Sequence, residues 1–207
     1  MSLKVLGIST SPRINGNTDL LLKQALDGAE SAGATIEYIN LGDYTIGPCT
    51  ECNECYRTGI CQIGDDYQLF LEKIHKADRL IFATPIFFMN VCAQAKTLID
   101  RAQCLWAHKY ILEKELFTPE RDHRGMVIAV GGSKSVKQFD SIRWTMKTYF
   151  STLGICYVSG LYIDNVDVKG AIEKHPAALK EAYRLGCLLA IADSAIPEKP
   201  TEVKLNT

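Results

Sequence analysis

Five short apolar runs alternate with five amphipathic segments along this chain of 207 residues. The apolar runs cover residues 3–9, 35–41, 79–85, 124–132 and 155–163. Segments with apolar residues at helical spacing follow them at 16–34, 65–77, 92–107, 135–154 and 175–194. Strands separated by helices require right-handed crossovers, so they form a parallel sheet that is covered on both faces. The pattern predicts an α/β fold with a doubly wound, five-stranded parallel sheet in the order 2-1-3-4-5.

Composition and length predict a single domain over residues 1–195, with a cysteine-containing loop at 47–64 and an extension at 108–123. Residues 196–207 are expected to be a loose C-terminal tail. Near the end of the third helix, Asp100 and Arg101 are expected to form a solvated or local pair. The formal net charge is -1, so no nucleic-acid partner is expected. No stretch reads as a signal peptide or a membrane span, so we expect no membrane association and a cytoplasmic location.

The loop after the first strand carries hydroxyl and amide side chains directly before a helix. Ser9, Ser11, Asn17 and Thr18 offer hydrogen-bond donors, and Arg13 offers a positive charge. Backbone N–H groups at a helix start attract anions, so the loop predicts a monophosphate site. The same residues are also common in helix caps and turns, which is the alternative for this loop taken alone. In this fold ligands bind beyond the carboxyl ends of the strands, so we expect chemistry in the loops after strands one, three and four.

Two further loops end at the same edge of the predicted sheet. Residues 85–90, after the third strand, combine a proline, two aromatics, a methionine and an asparagine that suit a flat heteroaromatic ring. The alternative is that Phe87 and Phe88 belong to the core or to an interface. Gly131 and Gly132, after the fourth strand, permit close backbone approach by a ligand, although they also fit a simple turn.

Four of the eight cysteines, Cys49, Cys52, Cys55 and Cys61, lie within thirteen residues of one another. In a reducing compartment such a run binds metal or performs redox chemistry more often than it forms disulfides. Short Cys-x₂-Cys spacings with a further cysteine nearby suit an iron–sulfur cluster. Structural zinc and unligated, reduced thiols are the alternatives. The remaining cysteines are expected to be small apolar side chains in the interior: Cys92, Cys104, Cys156 and Cys187.

The segments GISTSPRINGNT, ATPIFFMNVCAQAKTLIDR and IAVGG, with this order and spacing, resemble the flavodoxin-like NAD(P)H-dependent FMN reductase superfamily. The four clustered cysteines resemble the motif of its iron–sulfur flavoprotein branch. The resemblance implies a flavodoxin-like fold, bound FMN, and a [4Fe-4S] cluster on Cys49, Cys52, Cys55 and Cys61. Cys92 departs from the Ser or Thr of many relatives. The residues expected to bind FMN are Ser9, Ser11, Pro12, Arg13, Asn15, Gly16, Asn17, Thr18, Pro85, Ile86, Phe87, Phe88, Met89, Asn90, Gly131 and Gly132.

The expected function is FMN-dependent electron transfer from a ferredoxin-like donor to a small acceptor such as oxygen, peroxide or a quinone. The cofactors supply the redox chemistry, so no side chain is expected to be catalytic. One alternative is a cluster-free NAD(P)H-dependent FMN or quinone reductase, with NAD(P)H as the electron donor. A second alternative is a thiol-based redox sensor or carrier. The resemblance also implies a homodimer or homotetramer, in which the cluster of one subunit faces the flavin of another.

Overall fold

The computed structural model describes residues 2–114, 122–191 and 195–206. Its strands are β1 Lys4–Ser9, β2 Thr35–Asn40, β3 Arg79–Phe87, β4 Asn90–Val91, β5 Arg124–Val130, β6 Cys156–Asp164 and β7 Thr201–Asn206. Its helices are α1 Asn17–Ser31, α2 Cys55–Thr58, α3 Tyr67–Lys76, α4 Ala93–Arg101, α5 Gln103–Tyr110, α6 Gln138–Thr152 and α7 Pro176–Leu189. The third predicted helix, at 92–107, is therefore two helices that meet at Ala102.

The main sheet has the order β2-β1-β3-β5-β6-β7, and every neighbouring pair in it is parallel. The doubly wound fold is confirmed, and the first five strands of this path have the predicted order. The strand count was wrong in two places. β4 forms a short antiparallel hairpin with β3, and β7 adds a further parallel strand beside β6.

The tail predicted to be loose at 196–207 contains β7, so that prediction was wrong. Six residue pairs join β7 to β6, from Ser159 opposite Thr201 to Asp164 opposite Asn206. Val203 and Leu205 pack against the core below them. Their period-two alternation is the strand signal. It was missed because the run is short and follows a proline-containing segment.

Each face of the sheet covers its own apolar core. The core under α1 and α7 is built from alternate sheet residues such as Val5 and Ile81. The core under α3 to α6 takes the intervening residues, such as Leu6 and Phe82. Because strand side chains alternate between the faces, a strand buried on both faces reads as a continuous apolar run. This explains why the strands were readily identified from the sequence.

Two glycines set how closely α1 approaches α7. A Cβ placed on Gly186 would lie 1.9 Å from the Ala25 carbonyl oxygen, and one on Gly28 would lie 2.1 Å from the Tyr183 carbonyl oxygen. The crossing therefore requires glycine at both positions, because any side chain would collide with backbone. This contact fixes the position of α1, whose first turn faces the cleft described below.

Within the predicted extension at 108–123, α5 continues to Tyr110. Residues 115–121 lie outside the described part of the chain. Among the described residues, no helix combines the length and the apolar composition that crossing a bilayer requires.

Candidate FMN cleft and cysteine loop

An open cleft lies at the carboxyl edge of the sheet, where the loops after β1, β3, β5 and β6 meet. About 430 Å³ of space that is open to solvent lies between these loops. Its walls include ten residues expected from the sequence to bind FMN: Ser11, Pro12, Arg13, Gly16, Asn17, Thr18, Pro85, Ile86, Phe87 and Gly132. The loop after β6 adds Val166 and Asp167, which the sequence analysis did not predict. The predicted residues that do not line the cleft are Ser9, Asn15, Phe88, Met89, Asn90 and Gly131.

The first turn of α1 has unpaired backbone donors in this cleft. Gly16 precedes the helix and provides no side-chain cap. The N–H groups of Asn17, Thr18 and Asp19 donate no hydrogen bond within the described residues. A Cβ on Gly16 would lie 2.9 Å from the Arg13 carbonyl oxygen, so only glycine leaves this turn undistorted. Open N–H groups at a helix start, together with the helix dipole, fit a phosphate.

The side chains of Arg13 and Asn17 are tied to the loop after β6 by hydrogen bonds to its backbone. The Asn17 amide nitrogen donates to the Val168 carbonyl at 2.9 Å, and its amide oxygen accepts from the Ile172 N–H at 3.2 Å. Arg13 Nη1 donates to the Asp167 carbonyl at 3.0 Å. Asn17 therefore holds two loops together, because both ends of its amide already have protein partners.

Asp19 is a residue of the site that the sequence analysis missed. Its side chain is fully buried. One oxygen accepts the Asn15 N–H at 2.9 Å, and the other accepts the Tyr38 hydroxyl at 2.6 Å. Asn15 has a φ of 55°, in the left-handed region, so the bond from Asp19 fixes an otherwise unfavourable turn. The acidic residue in the first helical turn, with Lys23 four residues later, was the signal that could have identified it.

Ser9 lies beneath this turn. Its side chain is buried, and its hydroxyl oxygen has no hydrogen-bond partner in the described part of the chain. Ser9 does not line the cleft. A buried hydroxyl without a partner is unusual. The Ser9 hydroxyl would therefore hydrogen-bond to a further polar group placed at the end of β1.

The hairpin of β3 and β4 forms one wall of the cleft. Phe87 pairs with Asn90 across it, and the two tip residues, Phe88 and Met89, have φ angles of 48° and 63°. Left-handed φ angles at non-glycine residues carry strain of about 1–3 kcal/mol each. The Phe88 side chain is fully exposed. Pro85, Ile86 and Phe87 thus line the cleft, while the tip extends into solvent.

Gly131 and Gly132 have different surroundings. A Cβ on Gly131 would lie 2.3 Å from Gln138 Oε1, so this glycine leaves room for the Gln138 side chain rather than for a ligand. Gly132 lines the cleft opposite Asp167.

Cys92 joins the loop after β1 to the start of α4. Its thiol is buried and donates to the Thr10 carbonyl oxygen at 3.1 Å. Thr10 in turn donates through its hydroxyl to the Ala83 carbonyl oxygen at 2.9 Å. Cys92 is therefore more than the apolar filler that the sequence suggested. Of the other cysteines outside the loop, Cys104 is buried, and Cys156 and Cys187 are half-buried.

The four clustered cysteines are free thiols that lie on one loop. Cys52 is exposed, and the other three are half-buried. Burial raises the pKa of the Cys55 thiol, and charges on Cys52, Cys61 and Cys49 raise this pKa further. The described residues contain no group of three or more His, Cys, Asp or Glu side chains placed to hold one metal ion. Four thiols within one short loop match the ligand type of an iron–sulfur cluster.

The backbone around Cys52 also suits a negatively charged group. Glu51 and Asn53, on either side of it, have φ angles of 54° and 60°. Within the described residues, the N–H groups of 49–55 donate no hydrogen bond. Left-handed residues in such a loop turn successive N–H groups toward a common concavity, which is a binding arrangement found at iron–sulfur sites. The donor set and the backbone therefore both fit a cluster held by thiolates.

Comparison with known families decides which class of protein this cleft belongs to. Residues 3–164 match the family described as NADPH-dependent FMN reductase. The chain belongs to this family. Within the flavodoxin-like FMN reductase superfamily it falls in the iron–sulfur flavoprotein branch, and it is an FMN-dependent oxidoreductase.

Three similar proteins illustrate this placement. An iron–sulfur flavoprotein of Methanocaldococcus jannaschii is 38% identical over 141 residues, which is 68% of each chain. An iron–sulfur flavoprotein of Methanosarcina thermophila is 30% identical over 141 residues, covering 68% of this chain and 70% of its own. The structure of an FMN-dependent NADH-azoreductase from Bacillus anthracis, in complex with FMN, has a TM-score of 0.69 at 19% identity. Its match covers 91% of this chain and all of that one, and it shows a shared fold.

Proposed function

We propose that this member of the NADPH-dependent FMN reductase family carries both FMN and a [4Fe-4S] cluster and transfers electrons between a protein donor and a small acceptor. The observation that supports FMN is the open first turn of α1 inside a cleft formed by four loops. The observation that supports the cluster is the presence of four free thiols on one short loop, at Cys49, Cys52, Cys55 and Cys61. Relatives with matching sequences are named iron–sulfur flavoproteins.

For FMN, the phosphate would be held by the N–H groups of Asn17, Thr18 and Asp19, with Ser11 beside them. Arg13 contributes positive charge at the rim. The ring would lie against Pro85, Ile86 and Phe87, with Gly132 opposite, where the wall is backbone or apolar. This leaves to the protein the work of orienting the ring and excluding water from one of its faces.

For the cluster, the four thiolates would be the ligands, and the N–H groups of residues 49–55 would offset their negative charge. FMN exchanges one or two electrons and a cluster exchanges one, so the pair connects one-electron and two-electron partners. This role suits a ferredoxin-like donor and an acceptor such as oxygen, peroxide or a quinone. Because the thiols must stay reduced, the cytoplasm is the compartment in which the site would work. A homodimer or homotetramer is part of this proposal.

NAD(P)H is a second candidate for the donor. The family description names NADPH, and the azoreductase with the same fold is named for NADH. In that case the open cleft would admit a nicotinamide ring over the exposed face of the flavin, and the cysteine loop would carry no cluster. A thiol-based sensor is the third hypothesis, and it predicts reversible thiol oxidation with negligible turnover.

The test is to purify the protein without oxygen and to measure FMN, iron and acid-labile sulfide per chain. The proposal expects flavin absorbance, a broad additional absorbance, and iron and sulfide in equal amounts. Iron-free protein that oxidises NAD(P)H rapidly would support the second hypothesis. Colourless protein that takes up no added FMN would refute the assignment of the cleft.

A further inference from the structure

A buried ion pair lies where the cysteine loop leaves and rejoins the domain. Arg101 Nη1 contacts one Asp65 carboxylate oxygen at 2.6 Å, and Nη2 contacts the other at 3.0 Å. The Arg101 side chain is fully buried, and that of Asp65 is 9% exposed. The sequence analysis expected Arg101 to form a solvated or local pair, and this was wrong. Asp100 does form one, with Lys96 one turn earlier, whereas Arg101 points inward from the last turn of α4.

The pair fastens both ends of the loop. Gly47, where the loop begins, donates its N–H to Asp65 at 2.9 Å, and its carbonyl accepts from Arg101 Nη1 at 2.9 Å. Asp65, where the loop ends, also accepts the N–H of Tyr67 in the first turn of α3 at 3.1 Å. The segment between Gly47 and Asp65 is thus closed at its base by one bidentate pair. Fixing these ends removes much of the entropy that the loop would lose when a ligand orders it.

The guanidinium also lies near one thiol of the loop. It sits over the Tyr67 ring, 4.5 Å from the ring centre. Burial lowers the Arg101 pKa, but Asp65 and the nearby Cys61 outweigh this effect and raise the pKa. Gln68 Nε2 donates to the Cys61 carbonyl at 3.3 Å, which fixes the backbone there. The Nε–H of Arg101 is buried and has no hydrogen-bond partner among the described residues. A buried N–H without a hydrogen-bond partner is costly, unless it forms a hydrogen bond when the site holds its ligand.

We propose that Arg101 is the positioning residue of the cysteine site. With Asp65 it closes the base of the loop, and its Nε–H is the donor that bonds the Cys61 sulfur when that sulfur is a ligand thiolate. The second part of this inference rests on the cluster proposed above, whereas the first part holds for the metal-free protein. Hydrogen bonds to ligand sulfurs set cluster potentials, so the guanidinium tunes the cluster as well as placing it.

The first part can be tested by hydrogen exchange in metal-free protein. Arg101→Gln removes the cation, so the amides of Gly47 and Tyr67, which bond to Asp65, should exchange about tenfold faster. Arg79→Gln is the matched control, because Arg79 is equally buried and pairs with Asp122 and backbone carbonyls at the opposite end of the sheet. Its loss should leave those two amides unchanged. Wild-type exchange in Arg101→Gln, or equal acceleration in Arg79→Gln, would overturn the inference.

The second part can be tested on protein loaded with iron and sulfide, using Arg101→Lys. Lysine keeps the charge and can still pair with Asp65, but it lacks the forked geometry and the Nε–H donor. Relative to Arg101→Gln, we expect Arg101→Lys to restore most of the protection of the Gly47 and Tyr67 amides. The cluster potential of Arg101→Lys should nevertheless be more negative than that of the wild type, and a chelator should remove its iron about tenfold faster than from the wild type. The Arg79→Gln control should match the wild type in both measurements.

A purely structural role predicts the opposite result: a lysine variant with restored protection would also recover the wild-type potential and rate of iron loss. That outcome would reject Arg101 as a donor to the site. Wild-type protein that binds FMN but takes up no iron would instead refute the cluster proposed for this family member. The exchange comparison alone would then decide whether Arg101 positions the loop.

Discussion

The FMN cleft and the cysteine loop are fastened to the domain in different ways. The cleft is cross-linked by separate contacts from several elements: Asn17 to the loop after β6, Cys92 to Thr10, and Asp19 to Asn15. The cysteine loop is closed at its base by Asp65 and Arg101, and one of its thiols, Cys52, is exposed. The contacts that hold the cleft are therefore spread over its walls, whereas the ion pair holds the cysteine loop at its base and Tyr56 ties its middle to α5.

This difference suits the two proposed ligands. A phosphate and a flat ring gain affinity from a rigid site, because little order has to be created on binding. A cluster is assembled from iron and sulfide, so its thiols must be reachable before the site closes.

The largest effect is expected from Cys52→Ala. Removing one of four thiolates should abolish the cluster while FMN remains bound at the wild-type stoichiometry, because the cleft has its own attachments. Iron, sulfide and flavin analysis of protein purified without oxygen measures both sites. Cys187→Ala is the control, since Cys187 lies in α7, where it contacts Ser31, and its loss should leave the iron content unchanged. Joint loss of iron and FMN in Cys52→Ala would show that the two regions are not independent.

The second prediction changes the cleft and leaves the cysteine loop intact. Gly16→Ala places a methyl group 2.9 Å from the Arg13 carbonyl oxygen, which displaces the open first turn of α1. We expect FMN affinity, measured by fluorescence titration of the apoprotein, to fall about tenfold through weakened hydrogen bonds to a charged phosphate. Iron content should not change. Gly64→Ala is the matched control, because a Cβ there meets no atom within 4 Å. Unchanged FMN affinity in Gly16→Ala would argue against phosphate binding at this turn.

The sequence predicted the fold well because the fold depends on local patterns. Buried parallel strands are apolar runs and covering helices are amphipathic segments, so periodicity located five strands. Their order came from the doubly wound fold that this alternation matches. The same logic placed the loops after β1 and β3 at one edge, and the structure brings Ser11, Thr18 and Pro85 together there.

What the sequence did not reveal depends on contacts between distant residues. Asn17 has partners about 150 positions away, at Val166 and Val168, so nothing next to it indicated that its amide was already used. Arg101 looked like a solvated residue at a helix end, since its partner Asp65 lies 36 positions earlier. Local propensity does not identify which distant group satisfies a buried polar side chain.

The third prediction concerns Asp19, where we expect a smaller change in FMN affinity than at Gly16. Burial and the hydrogen bond to the Asp19 carboxylate raise the pKa of Tyr38 to about 12 from its ordinary value of 10.0. A raised pKa in the folded state stabilises the protein below the unfolded pKa, and that contribution is lost as pH rises from 10.0 to about 12. Asp19→Asn should lower the Tyr38 pKa and flatten this pH dependence of stability.

The Tyr38 pKa is measured by ultraviolet titration of the phenol, with Tyr38→Phe giving the signal of the other tyrosines. Because Asp19 also holds the Asn15 turn, FMN affinity in Asp19→Asn should fall about threefold, as expected for a weakened hydrogen bond. Iron content should be unaffected. A Tyr38 pKa that stays near 12 in Asp19→Asn would show that burial alone sets it.

The smallest effect is expected at Cys92, where the cleft is cross-linked from behind. Cys92→Ala leaves the buried Thr10 carbonyl without the thiol donor, which costs about 1 kcal/mol and lowers the melting temperature by about 2–4 °C. Cys92→Ser keeps a donor at the same position and should lose less stability. Thermal unfolding of the apoprotein measures the difference. Equal stability of the alanine and serine variants would show that the thiol fills space without contributing a hydrogen bond, and the cleft would then rest on its other contacts.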